Sequence, residues 1–434
     1  MKRVLLITYY WPPSGGAGVQ RVLKMVKYFR DFGWEPVVFT AKDAAYPVLD
    51  ESLLKDVPEG QEVVRGKIWE PYEVYRRFIG QKGNKRVYSG FLTEDKKPSL
   101  AQRISVWIRG NVFIPDARKF WIKPSVKLLS QKVRDLNVDA IISSGPPHTV
   151  HMIARGVKRA TGLPWIADFR DPWTNIDFYD QLMLTKWADR QHHKLEATVV
   201  KECDRLVTVS WTWAEEFKAM GAEEKVRVIT NGFDPADFEF EKVHPDPEFV
   251  INHIGYLNAD RNPPALWEVL GELCEADPEF RKDLKLRFIG KTDRVLFDHL
   301  EKNGLQDLTE SQDYVPHEEV LGMLPRAQVL LLLINNTPNV MGVIPGKIYE
   351  YLASGRPILA IGPQAGDSSR IIRETQAGTV CEFTDKEAIR GAITQMYQAY
   401  KNGTLETNPE SIDRFSRRTA TGLMAGELDS LLDS

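Results

Sequence analysis

Val343-Ile344-Pro345-Gly346-Lys347-Ile348-Tyr349-Glu350-Tyr351-Leu352-Ala353-Ser354-Gly355-Arg356-Pro357-Ile358 reads as a short helix between two punctuation marks. Pro345-Gly346 opens it, and Gly355-Arg356-Pro357 ends it and leads into an apolar run suited to a strand. Lys347 falls in the first turn, where its ammonium adds to the positive end of the helix dipole, an arrangement suited to a diphosphate that would also engage the Gly346 backbone. Glu350 lies one turn on along the same face, placed to accept hydrogen bonds from vicinal ribose hydroxyls. A Lys/Glu helical salt bridge is the alternative for this pair; the Pro-Gly start and Gly-x-Pro exit argue against it.

Outward from this stretch, β-rich runs alternate with helix-length amphipathic segments, the pattern of parallel sheets covered by helices. Strands are expected at 250–254, 285–289, 329–333 and 357–361, with helices at 264–275, 293–302, 346–353 and 386–400. The first half repeats the pattern, with strands at 3–8, 35–40, 139–143, 165–168, 205–209 and 226–229 and helices at 19–31, 149–160 and 181–202. The chain therefore divides into a Rossmann-like domain over 1–234, a linker over 235–248, a second Rossmann-like domain over 249–409, and a helical segment over 410–434 that crosses back to the first. Two doubly wound α/β sheets of this kind are expected to face a central cleft.

The 57 Lys+Arg nearly balance 60 Asp+Glu, a formal net charge of −3 that argues against generic nucleic-acid binding. The charge is segregated, however: residues 65–132 carry 16 Lys/Arg against 5 Asp/Glu, a local +11. Trp69, Tyr72, Tyr75, Phe78, Tyr88, Phe91, Trp107, Phe113, Phe120 and Trp121 are interleaved there. A helix from Ser99 to Arg109 puts Leu100, Ile104, Trp107 and Ile108 on one side. This basic aromatic insertion suits the surface of an anionic membrane, or else packs on its domain with a solvated rim. Three dispersed cysteines form no Cys-x-x-Cys spacing, no run reaches the roughly 20 apolar residues of a membrane span, and the start lacks a secretory signal. The expectation is a cytoplasmic protein, peripheral at the inner membrane face.

Other candidates lie at strand ends of the first half. Gly15 and Gly16, between the first strand and first helix, allow close backbone approach by a phosphate or sugar, or make a structural turn. Arg21 stands where a dinucleotide fingerprint needs its third glycine, and no Gly-Lys-Ser/Thr follows. His148 and His151 share a first helical turn and offer sugar-hydroxyl contacts, with one expected to be a satisfied structural histidine; no third ligand completes a zinc site. Arg170 and Asp171 follow the 165–168 strand and point to acceptor chemistry or to an internal ion pair. His192, His193 and Glu196 read as an exposed helical face.

Taken in order, Gly15-Gly16, Asn231-Gly232-Phe233-Asp234, His253-Ile254-Gly255-Tyr256-Leu257 and the 345–357 motif resemble a retaining glycosyltransferase of family 4, with the GT-B fold, over nearly the whole chain outside the basic insertion. The resemblance implies transfer of a sugar from a nucleotide diphosphate sugar, UDP- or GDP-linked, to a sugar or lipid-linked acceptor in glycoconjugate synthesis, without a metal or other cofactor. It implies that Gly15, Gly16 and Asn231 lie toward the donor and that Glu350 binds ribose. The backbone around Val315, in Asp313-Tyr314-Val315-Pro316, reads the base, and Gly346, Lys347, Ile348 and Arg261 take the diphosphate. Arg170 stands where many members place a histidine near the reacting sugar, with His151 and Asp171 beside it as catalytic candidates.

Three positions depart from the family pattern. Gly342 replaces the first glutamate of Glu-x7-Glu, Tyr256 replaces an arginine, and Arg170 replaces the histidine. A catalytically silent scaffold and a nucleotide-sugar epimerase are the alternatives.

Overall fold

The computed structural model describes residues 1–70, 100–238, 243–313, 315–407 and 409–433. The expectations for Tyr72, Tyr75, Phe78, Tyr88, Phe91, Ser99 and Tyr314 lie outside these residues. The chain divides into two compact units, Met1–Thr230 with Arg417–Ser434, and Asn231–Ser416.

The first unit holds seven parallel strands, β1 (Lys2–Ile7), β2 (Trp34–Lys42), β3 (Val63–Lys67), β4 (Ala140–Gly145), β5 (Trp165–Phe169), β6 (Arg205–Thr208) and β7 (Val226–Val228), in the order β3-β2-β1-β4-β5-β6-β7. Both faces of β1 are covered, Leu5 and Ile7 entering one core and Val4 and Leu6 the other. That is why the run has no polar alternation. The order reverses between β1 and β4, which puts the loops after these strands at the switch point where open α/β sheets bind ligands. The expected insertion overlaps this sheet layer at both ends. Arg65 and Lys67 sit in edge strand β3, and Leu129 and Val133 of the helix Ile122–Asp135 enter the core.

The helix Arg417–Leu432 completes this unit. Its Ala420, Met424, Ala425 and Leu428 pack with Val19, Val22 and Met25 of the helix Ala17–Tyr28, and Asp429 accepts from Trp34 Nε1 at 3.1 Å. Each buried Val, Leu or Met side chain of this set contributes about 1.5–3 kcal/mol.

The second unit holds β8 (Phe249–Ile254), β9 (Leu284–Ile289), β10 (Thr309–Gln312), β11 (Val329–Leu333), β12 (Ile358–Ile361) and β13 (Gly378–Cys381), all parallel, in the order β10-β9-β8-β11-β12-β13. This is the strand order of a Rossmann sheet, with its switch between β8 and β11. The helix Lys347–Ser354 follows that switch, capped at its end by Gly355 in the left-handed region at φ 68°.

Candidate functional site

In the second unit, two glycines make room where β8 and β9 end. Gly255 has φ +102°, and a Cβ there would lie 3.2 Å from Lys347 Nζ; Gly290, at φ +118°, would press a Cβ to 2.9 Å from the Gly255 backbone. The helix Lys347–Ser354 is locked to this corner because the Tyr351 hydroxyl accepts from Ile254 N–H at 3.1 Å. Lys347 leans from the first helical turn onto the strand end, donating to the Ile254 carbonyl and, at 3.3 Å, to His253 Nε2. His253 Nδ1 in turn faces the Leu331 carbonyl at 2.9 Å. A carbonyl only accepts, so Nδ1 carries the proton and Nε2 offers a lone pair. Burial, then the neighbouring ammonium, keeps this imidazole neutral, its pKa well below the usual value. Burial first, and Arg261 second, bring Lys347 down to about 7.

Arg261 is in the turn Ala259–Arg261 after β8. Its Nε donates to Asn335 Oδ1 beyond β11, and Nη1 donates to the Tyr256 carbonyl at 2.8 Å. The two cations expected to take a diphosphate are thus anchored at the same switch point, close enough that Arg261 disfavours the charge on Lys347. Glu350 Oε1 meets His317 Nε2 at 3.0 Å, and His317 opens a helix immediately after Val315-Pro316. The expected ribose carboxylate and the expected base-reading loop are therefore neighbours. Ile348 is fully buried and acts as a core anchor of the helix, so only its backbone can face a ligand. Gly342 lies buried in the turn Val340–Gly342, which brings no carboxylate to this position, and Tyr256 contributes its carbonyl in place of a guanidinium. Asn231 opens the unit, next to Gly232, which presses on the Phe415 carbonyl so closely that a Cβ would overlap it.

In the first unit the glycine loop is tied down. Gly15 N–H donates to Val48 O at 3.0 Å, and a Cβ on Gly15 would crowd Val48 and Asp50, so its amide is already engaged and is not the one offered to a phosphate. Gly16 is exposed at φ +86° and caps the helix Ala17–Tyr28. Arg21 makes a buried ion pair in this unit. Its Nε and Nη2 grip Asp168 at 2.8–3.1 Å while Nη1 and Nη2 hold the Thr230 and Ile229 carbonyls at 2.9 Å. Ser144 Oγ adds a 2.7 Å bond to Asp168.

Arg170, expected near the reacting sugar, is engaged by backbone carbonyls. Its guanidinium donates to Gly145 O at 3.1 Å, Gly18 O at 2.5 Å and Pro146 O at 2.6 Å, clamping the glycine loop's helix to the end of β4. Burial leaves it easier to deprotonate than usual. Asp171 beside it is half-buried, and that burial raises its pKa against the pull of Arg170. His151 is fully buried and stacked on Phe169 at 4.4 Å. Trp165 Nε1–H donates to Ser143 Oγ, which also lies 2.8 Å from His151 Nδ1, so the serine hydroxyl ties the indole to the imidazole. Burial lowers the His151 pKa to about 3, so it stays neutral. His148 stacks on Trp173 at 4.5 Å. Neither histidine is fully satisfied, since His148 Nδ1 and His151 Nε2 have no partner among the described residues.

The helix face of His192, His193 and Glu196 is not exposed as expected. His192 and Glu196 are buried, His192 accepting from Trp173 Nε1 at 3.1 Å and Glu196 from Thr174 Oγ1 at 2.5 Å; only His193 is exposed. The loop after β5 turns these two inward by supplying donors that periodicity does not reveal. Sequence reasoning does not single out His253, Asn335, Tyr351 or Arg21 as functional side chains. A histidine inside the apolar strand Phe249–Ile254 is the one available signal.

Comparison with known proteins bears on both units. Residues 15–232 match the glycosyl transferase 4-like domain, and residues 235–409 match the glycosyl transferases of group 1. The putative colanic acid biosynthesis glycosyltransferase WcaL of Salmonella typhimurium is 26% identical over 227 residues, 49% of this chain; the chain spans 55% of that relative's length. The probable glycosyltransferase WbjE of Pseudomonas aeruginosa is 24% identical over 289 residues, 63% of this chain and 68% of its own. Among solved structures, Anabaena Alr3699/HepE in complex with UDP covers 99% of this chain and 100% of its own at 15% identity and a TM-score of 0.62. The apo lipopolysaccharide outer core galactosyltransferase WaaB covers 99% and 100% at 13% and 0.58. The fold is that of the GT-B class, two Rossmann-like units in one chain.

Proposed function

This chain belongs to the glycosyl transferases of group 1, joined to a glycosyl transferase 4-like domain, and on that premise we propose that it moves a sugar from a nucleotide diphosphate sugar to an acceptor hydroxyl in glycoconjugate synthesis. The observation that carries this reading is the convergence of Lys347, Arg261 and the Gly255 turn at the switch point of the second unit, with Glu350 one helical turn away.

Departure of a nucleoside diphosphate develops negative charge on phosphate oxygens. Fixed cations and backbone N–H groups at the start of a helix stabilise that charge without reorganising, and the reaction as proposed draws on these in place of a metal. Transfer proceeds with retention, the leaving phosphate taking the acceptor proton. UDP in the HepE structure favours a uridine donor here, and GDP is the alternative. Asp171 orients the acceptor hydroxyl, and Arg170 holds its loop in place. Calorimetry with UDP, GDP and ADP tests the donor site; proton NMR of the product's anomeric coupling, from a transfer assay with lipid-linked and free sugar acceptors, tests the stereochemistry. Wild-type protein that binds none of the three nucleotides would overturn the reading. The family match favours neither the silent scaffold nor the epimerase.

The acceptor is proposed to be lipid-linked and met at the inner membrane face. On the helix Leu100–Asn111, Leu100, Ile104 and Trp107 are exposed, Leu100 by 72%. Trp69 and Phe120, in edge contact at 4.9 Å, are further exposed apolar rings of this segment, with Lys119 over the Phe120 ring, and Arg103, Lys123 and Lys127 are exposed basic residues of the same segment. No helix among the described residues is long and apolar enough to cross a membrane, so attachment would be peripheral. Cosedimentation with phosphatidylglycerol vesicles, weakened by Ile104→Ser with Trp107→Ser, is the expected result; equal binding to phosphatidylcholine would refute it.

A further inference from the structure

We infer that His253 is a positioning residue for Lys347, an inference that rests on the donor site proposed above. The imidazole is fixed at both nitrogens. Nδ1–H donates to the Leu331 carbonyl of β11, and Nε2 accepts one N–H of the Lys347 ammonium at 3.3 Å. A second N–H goes to the Ile254 carbonyl. An ammonium has three donors, so these two bonds leave one N–H and set its direction. The Gly255 turn lies against the same ammonium, since a Cβ there would approach Nζ to 3.2 Å. A flexible lysine is thereby converted into a directed donor before any phosphate arrives, and the entropy of ordering its stem has been met during folding.

The charged and titratable groups that act on this pair are Arg261, which disfavours the charge on both, and Glu350, which favours the ammonium of Lys347. His253, being neutral and accepting, adds a dipole that stabilises the ammonium. Removing it makes Lys347 lose its proton at a lower pH, so a phosphate meets a neutral amine under conditions where the wild-type protein presents a cation. No covalent step is involved.

Asparagine and glutamine separate the two ends of the imidazole. The shorter side-chain amide introduced by His253→Asn reaches the position of Nδ1 and keeps the Leu331 bond, while His253→Gln carries an acceptor out to the position of Nε2. The measurement is UDP affinity by calorimetry from pH 5.5 to 9, alongside titration of the lysine Cε resonances in ligand-free protein labelled with 13C-lysine, with Lys347→Met identifying the signal. Wild-type affinity should fall as pH rises through 7. In His253→Asn the midpoint should move lower by at least half a pH unit, in both the affinity and the resonance, with binding at pH 7.5 weaker by about threefold or more. His253→Gln should return the midpoint toward wild type. An unmoved Lys347 titration in folded His253→Asn overturns the inference even if UDP binding persists. A shifted Lys347 titration in a protein that binds no nucleotide upholds the positioning of the lysine and overturns only the donor site.

Discussion

Lys347→Met exchanges the ammonium for an apolar side chain of similar length and asks what a ligand-directed charge costs the fold. The side chain's pKa is brought down to about 7, first by burial and then by Arg261, whereas an unfolded lysine titrates near 10.4. Between those values the unfolded chain binds more protons, so this site makes the protein more stable as pH rises from about 7 toward 10. The full shift corresponds to about 5 kcal/mol. Because Lys347 is only half-buried, solvent screening reduces this to about 3 kcal/mol. Methionine does not titrate, but it forfeits the bonds to Ile254 O and His253, each worth about 1 kcal/mol. The variant should therefore be more stable than wild type by about 1 kcal/mol at pH 6, less stable by about 1–2 kcal/mol at pH 10, and unable to bind UDP at either. Native-state hydrogen exchange on the amides of β8 and β11 reads the second unit directly, without assuming that both units unfold together. A wild-type-minus-variant difference that stays constant from pH 6 to 10 would show that Lys347 is not held in an environment hostile to its charge, and the reasoning would fail.

Gly255→Ala introduces a Cβ at φ +102° against the ammonium; strain of about 1–3 kcal/mol and at least tenfold weaker UDP binding are expected, and near-normal affinity by calorimetry would contradict the close approach. Arg170→Ala withdraws the donors of three carbonyls and should destabilise the first unit by about 2–4 kcal/mol in hydrogen exchange while UDP affinity holds; lost transfer with undiminished stability would instead assign Arg170 to the reacting sugar. His151→Phe preserves the stack on Phe169 and removes a group whose folded pKa is about 3. That group costs stability as pH falls from 6.5 toward 3, so the acid unfolding midpoint should move to lower pH, and an unchanged acid limb would refute the neutral buried assignment.

What can be read from the sequence, and what cannot, follows from where each residue finds its partners. Interior strands such as Val4–Ile7 and Val329–Leu333 are apolar on both faces, and that continuous run is visible without the fold. The edges are not legible. β10 is Thr-Glu-Ser-Gln and largely exposed, β3 is interrupted by Arg65 and Gly66, and β13 begins on Gly378, so hydrogen bonds to one neighbour define them more than burial does. At the site, Lys347 and Glu350 are legible together because helix spacing is a local property, whereas Arg261 is reached in the sequence only through the family resemblance. Their orientation is not, since His253, Leu331 and Asn335 reach them only when β8 and β11 pair. Arg170 shows the reverse case, a charged residue at a strand end whose partners are backbone carbonyls at the end of β4 and the start of a distant helix.

The helix Arg417–Leu432 closes over residues that were synthesised some four hundred positions earlier, with the whole second unit in between. On the ribosome, Val19, Val22 and Met25 must therefore wait, without this helix over them, while Asn231–Ser416 is made. The first unit to be translated is the last to be finished, and for that interval its incomplete face is a natural client surface for chaperones.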